Sequence, residues 1–227
     1  LKNQGIPACI IKGNEIARTL YQDPNCRSSV DIDLLVRKKD IIKADEALKT
    51  AHYLADEKSL GYFIHHTQHA TYHDAQNKHL IELHWSFGIP YFFKLTSEDI
   101  WQEIAAGEDD NMHLSSEMLL ILLLIHHHNH SFSELKILVD LLWAFQKYDQ
   151  IITWPDFAKK IKKLGLASVT LISISQLESL WPDHTARMHS TQLLKQALYN
   201  MGCSVSNHLA AYFQMDLEKQ SDLSIKD

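Results

Sequence analysis

Apolar residues along this chain fall into two rhythms, alternation and short runs in the first half, helical spacing in the second. The run Pro7-Ala8-Cys9-Ile10-Ile11 predicts a buried strand, ended by Lys12-Gly13-Asn14. Residues 15–21 place Ile16, Ala17, Leu20 and Tyr21 at helical spacing and stop at Asp23-Pro24. Residues 30–36 form the clearest strand: Val30, Ile32, Leu34 and Val36 alternate with Asp31 and Asp33. Successive side chains of a strand point to opposite faces, so both aspartates project from one face while the other packs. Asp40 caps a predicted helix running to about residue 50, with Ile41, Ala44 and Leu48 toward the sheet. A hairpin follows, with strands at 62–72 and 79–85 and a polar turn at Asp74-Ala75-Gln76-Asn77. In its second strand Ile81, Leu83 and Trp85 share one face, Glu82 and His84 the other.

Beyond Gly107 the pattern is helical. Residues 115–128 read as a helix, and Ser131-Phe132-Ser133-Glu134 carries a capping-box signal for another through 148. Pro155 suits a first helical turn and Gly165 a stop; helices at 167–180 and 191–214 follow. The expected organisation is an α/β domain at 1–108 and an all-helical domain at 109–227. Trp85, Trp101, Trp143 and Trp154 read as packing residues.

Composition narrows the function classes. The 227 residues carry a formal net charge of -6, so no global basic field draws the chain to DNA, RNA or an anionic membrane. The longest apolar run, 118–125, is far short of the ~20 residues that cross a bilayer. Cys9, Cys26 and Cys203 are odd in number and form no CxxC pair, which points to a reducing cytoplasm rather than a disulfide or zinc scaffold. Leu1 opens without a signal-peptide pattern, at what reads as the tail of a helix ending at Gly5, so a preceding helical segment is expected.

Three features carry chemistry: the Gly13 turn after a strand, Asp31 and Asp33 on a second strand, and Glu82 on a third. Carboxylates at i and i+2 of a strand converge on one point, and a third from a neighbouring strand completes an oxygen site of the kind Mg²⁺ prefers. A glycine there lets backbone N–H groups approach a phosphate, with the next helix N-terminus behind them. Asp31 and Asp33 as solvated edge-strand residues is the plain alternative. His65, His66, His69 and His73 fall on a predicted strand, where helical i,i+4 ligand spacing does not apply, and His126, His127, His128 and His130 straddle a break at Asn129.

These residues resemble the nucleotidyltransferase superfamily with the polymerase-β-like fold, whose signature is a small-residue turn, a helix and a hydrophobic-flanked Asp-x-Asp strand. Lys12-Gly13 through Arg27-Ser28-Ser29-Val30-Asp31-Ile32-Asp33-Leu34 looks like the KGG…RxSxDID pattern of abortive-infection nucleotidyltransferase toxins. Ile81-Glu82-Leu83-His84-Trp85 is similar to the acidic-x-His motif of aminoglycoside and lincosamide nucleotidyltransferases. The whole pattern, with His126, His130 and Asp140 as its HxxxH-then-Asp part, is similar to a broad bacterial group of uncharacterised nucleotidyltransferases and covers about 5–145.

That resemblance implies an α+β fold, a small mixed-sheet core followed by a helical domain. It implies an enzyme that moves a nucleoside monophosphate from a nucleoside triphosphate, ATP among them, to a hydroxyl acceptor with release of pyrophosphate. Asp31 and Asp33 would hold Mg²⁺ or Mn²⁺, and Glu82 would be third ligand or general base. Gly13 and Asn14 would meet the triphosphate; Lys12 and Arg27 would face its oxygens; His84 would bind phosphate or orient Glu82. The acceptor is a small molecule, an RNA end or a protein side chain. Asn14 stands where the pattern has a second small residue, which leaves a catalytically degenerate nucleotide-binding module as the competing reading.

Overall fold

The computed structural model describes residues 1–56, 60, 64, 67–76, 78–87, 92–107 and 111–205. They fall into two compact units, Leu1–Leu122 and Leu123–Asp227. The expected boundary at 108/109 lies outside the described residues. No helix among the described residues is long and apolar enough to cross a membrane.

The first unit is built on a five-stranded sheet in the order β1-β2-β5-β4-β3. Its strands are β1 (Ala8–Ile10), β2 (Asp31–Val36), β3 (Tyr53–Ala55), β4 (His69–Asp74) and β5 (Leu80–His84). β2 and β5 run parallel and the other neighbours antiparallel, so the sheet is mixed, as the resemblance implied. Helix α1 (Asn14–Leu20) follows β1, and α2 (Ile41–Thr50) follows β2. The α2 residues Ile41, Ala44 and Leu48 share one core with Val36, Leu83 and Tyr72 of the sheet. Buried Asp45 of α2 accepts the Tyr72 hydroxyl at 2.8 Å, so the one acid in this interface is partnered.

The alternation in β2 holds, but its apolar face is only partly covered. On that face Val30 is 85% exposed and Ile32 38%, while Val36 is fully buried; Leu35, on the face of the acids, is fully buried as well. The predicted strand at 62–72 starts at His69 within the described residues; 62, 63, 65 and 66 lie outside them, as does Asn77 of the turn. β3, helix α3 (Ser97–Gln102) and a two-stranded sheet of β6 (Ile104–Ala106) and β7 (Met112–Leu114) were not expected. Three-residue strands are too short to display a period.

Helix α4 is Ser116–Asn129, and the helices after it are α5 (Leu135–Lys147), α6 (Trp154–Leu164), α7 (Ala167–Leu180), α8 (Pro182–Thr185) and α9 (His189–Asn200). Pro155 sits in the first turn of α6 and Gly165 (φ 80) caps its end, as expected. The capping box at 131–134 does not form. Ser131 and Phe132 take positive φ (53 and 58) to reverse the chain, Glu134 is the N-cap of α5, and its carboxylate pairs with His130 at 2.6 Å. The helix expected over 191–214 ends at Asn200, where Gly202 (φ 74) turns the chain and Cys203 N–H bonds to Leu198 O; residues 206–214 lie outside the described ones. Trp85, Trp101 and Trp154 are buried, but Trp143 lies on the outward side of α5 and is 36% exposed.

Candidate active site

The parallel pairing of β2 with β5 sets Asp33 directly beside Glu82. Period-two alternation then puts Asp31, Asp33, Glu82 and His84 on one face of the sheet, opposite α2. Asp31, Asp33 and Glu82 each offer an oxygen, all within 4.8 Å of one another. Asp33 is only 2% exposed, so its charge needs partners. It has two: the Lys12 ammonium pairs directly with Oδ1, and His84 Nε2 lies 2.9 Å from the same atom. His84 Nε2 is also 3.0 Å from Glu82 Oε2, and Lys12 Nζ is 3.6 Å from it. A carboxylate accepts, so Nε2 carries the proton and shares it between the two acids.

These partners set the charge of Glu82. The His84 hydrogen bond, backed by the charges of Lys12, His84 and His69, outweighs partial burial and holds its carboxyl down to about 2. Glu82 is therefore ionised throughout the neutral range.

The Gly13 turn is braced from below. Gly13 has φ 55 and ψ -120, and a Cβ there would meet Ser29 Oγ at 2.7 Å. Ser29 Oγ lies 3.1 Å from both the carbonyl and Oδ1 of Asp31, so this hydroxyl links the turn to the first aspartate. Buried Arg27 donates to the Gly13 carbonyl at 3.0 Å. Asn14, the first residue of the seven-residue α1, is exposed.

The fold thus gathers Lys12, Asp31, Asp33, Glu82 and His84 at one spot, with Gly13 joined to it through Ser29. Arg27 sits behind the turn. Two residues were given no role by the sequence reading. Ser29 was visible as the serine of the RxSxDID pattern, but its contact with Gly13 depends on two chain segments meeting. His69, on β4, faces His84 across the β4–β5 pairing, with ring centroids 5.0 Å apart. Its signal is hairpin register, which the turn residues alone did not fix. Cys9 shares this face through its pairing with Leu35, but burial and then the charge of Glu15 push its thiol up to about 12, so it is no thiolate at neutral pH.

In the second unit, buried His127 places Nδ1 3.0 Å from Ser173 Oγ, whose own proton goes to Val169 O. His126 and His130 stack edge-on at 4.6 Å, and Asp140 is fully buried.

The family described as "Uncharacterised nucleotidyltransferase" matches residues 1–182, a span that includes every residue of the site. The match is to this broad family and does not extend to the toxin or antibiotic-modifying likenesses. No curated protein matches the chain.

Proposed function

Because the chain belongs to the uncharacterised nucleotidyltransferase family, we propose that it transfers a nucleoside monophosphate from a nucleoside triphosphate to a hydroxyl acceptor. The observation behind this is the three-carboxylate cluster of Asp31, Asp33 and Glu82 on adjacent parallel strands. An all-oxygen donor set of this kind suits Mg²⁺ or Mn²⁺, and the absent Cβ at Gly13 leaves its backbone free to close on Ser29. A bound divalent ion would supply positive charge at the α-phosphate, where charge builds as the bond to the acceptor forms.

The protein's own groups divide the remaining work. Asp31 and Asp33 would hold the ion, Asp31 kept in orientation by the Ser29 hydroxyl and Asp33 by His84. The acceptor oxygen bonds to the α-phosphorus while the bond to the β-phosphate oxygen breaks, and pyrophosphate leaves with that electron pair. Glu82, with its pKa near 2, suits a carboxylate that stays ionised as a ligand better than one that takes the acceptor proton, which passes to solvent. Lys12 is the cation closest to the acids and turns toward phosphate oxygens as they arrive, with Arg27 securing the turn that carries it. The acceptor is a small hydroxylated molecule, an RNA end or a protein side chain; the acidic net charge disfavours RNA.

The test is incubation with each α-labelled triphosphate and a cell extract, followed by identification of what becomes labelled. Label transfer that disappears in Asp31→Asn/Asp33→Asn, with an unchanged circular dichroism spectrum, is the expected result. Full transfer by that variant refutes the mechanism. Mg²⁺-dependent triphosphate binding without pyrophosphate release across a broad acceptor panel establishes the degenerate binding module instead.

A further inference from the structure

We propose that His69, His84 and Glu82 form a second metal site beside the three-carboxylate cluster, sharing Glu82 with it and selecting a borderline transition-metal dication such as Zn²⁺ or Co²⁺. The three side chains each offer a ligand atom within 4.8 Å of the others, on neighbouring strands β4 and β5. Atoms bound to one such ion at ~2.1 Å lie at most ~4.2 Å apart, so small side-chain rotations close the set. The donors differ in kind from those next door. Two imidazoles and a carboxylate suit a borderline metal, whereas Asp31, Asp33 and Glu82 offer only the hard oxygens that suit Mg²⁺.

A second observation concerns His84 alone. The residue is 5% exposed, and its Nδ1 has no hydrogen-bond partner. Its Nε2 is committed to Asp33 and Glu82. The nitrogen that faces Glu82 is Nε2, so the ion would take the place of the proton shared there and the buried Nδ1 would carry the ring's proton instead. Three carboxylates, Asp31, Asp33 and Glu82, favour cations here, and Lys12 contacts Asp33 but reaches Glu82 only at 3.6 Å. Glu82 has two oxygens, one for each ion, as in two-metal sites with a bridging carboxylate.

The site shares Glu82 with the cluster proposed for nucleotidyl transfer, but it can be read without turnover and is tested with metals alone. Protein stripped with chelator is titrated with Co²⁺, followed by its visible absorption, and separately with Mg²⁺ by calorimetry. Co²⁺ is expected to bind at least tenfold more tightly than Mg²⁺ and to show bands of mixed nitrogen–oxygen coordination. His69→Ala should remove that tight phase and leave Mg²⁺ affinity within twofold. Asp31→Asn should weaken Mg²⁺ and keep the Co²⁺ spectrum, so failure of either cluster is seen separately. Ring ¹⁵N shifts of His69 and His84 in the unaltered protein provide a readout that needs no variant, and both should move on adding Zn²⁺. Tight Co²⁺ binding that survives His69→Ala, or Zn²⁺ binding that leaves both rings unmoved, overturns the proposal.

Discussion

Replacing Gly13 by alanine tests how the turn and the first aspartate are coupled. The backbone at φ 55, ψ -120 is one that side chains of L residues rarely adopt, which costs about 1–3 kcal/mol once a Cβ is present. The new methyl would also stand 2.7 Å from Ser29 Oγ and 3.3 Å from the Asp31 carbonyl. The hydroxyl can rotate away, but then its bond to Asp31 is lost, worth about 1 kcal/mol. Gly13→Ala should therefore destabilise the fold by roughly 2–4 kcal/mol, read from urea unfolding with an unchanged slope. The cycle with Ser29→Ala separates the two causes. Without Oγ the clash is relieved and the hydrogen bond is already gone, so the glycine substitution should cost about 1 kcal/mol less in that background. The backbone part of the cost should persist. Additive effects would refute the contact between Gly13 and Ser29, and a cost under about 0.5 kcal/mol for Gly13→Ala alone would refute the strained turn.

Two further outcomes follow from charge and burial. Lys12→Met leaves the buried carboxylate of Asp33 with His84 but without its ammonium, and should destabilise the protein by roughly 3 kcal/mol in thermal or urea unfolding; no measurable loss would mean that the pair is not formed. His127 is held neutral by burial, then by the charges of His128 and His130, with its pKa lowered from 6.5 to about 4. Between those values the unfolded chain binds the extra proton, so stability is full above pH 6.5 and declines as pH falls toward 4, by roughly 3 kcal/mol at most. In His127→Leu the proton uptake on unfolding in that window should fall by about one, and an unchanged slope of stability against pH would contradict the assignment.

The parts of the fold legible in the sequence were those with strong local grammar. Val30 to Val36 alternates, Pro155 and Gly165 punctuate α6, and residues 167–180 match α7 end for end. Thr96 and Asp99 form a reciprocal capping box that starts α3, a signal present in the sequence but attached to only six residues. Ser131 and Glu134 offer the same kind of pair at the same spacing and form none, because Ser131 and Phe132 are needed to reverse the chain after α4. The acids of the site were legible because strand parity puts i and i+2 on one face, whatever the partner. Ser29 beneath Gly13 and His69 opposite His84 were not, since each depends on which residue of one segment meets which residue of another.

The one parallel pairing within the five-stranded sheet has a kinetic consequence. Asp33 and Glu82 become neighbours only when β2 and β5 dock, and parallel strands cannot be joined by a tight hairpin. The chain between them must close a long loop before that contact repays any entropy, so the docking belongs to the slow, non-local part of folding. A chain emerging from synthesis, or one cut before Leu80, has both aspartates and none of the geometry that makes them useful. The cation binding proposed for this spot is thus a timestamp, marking when the central pair of the sheet has closed.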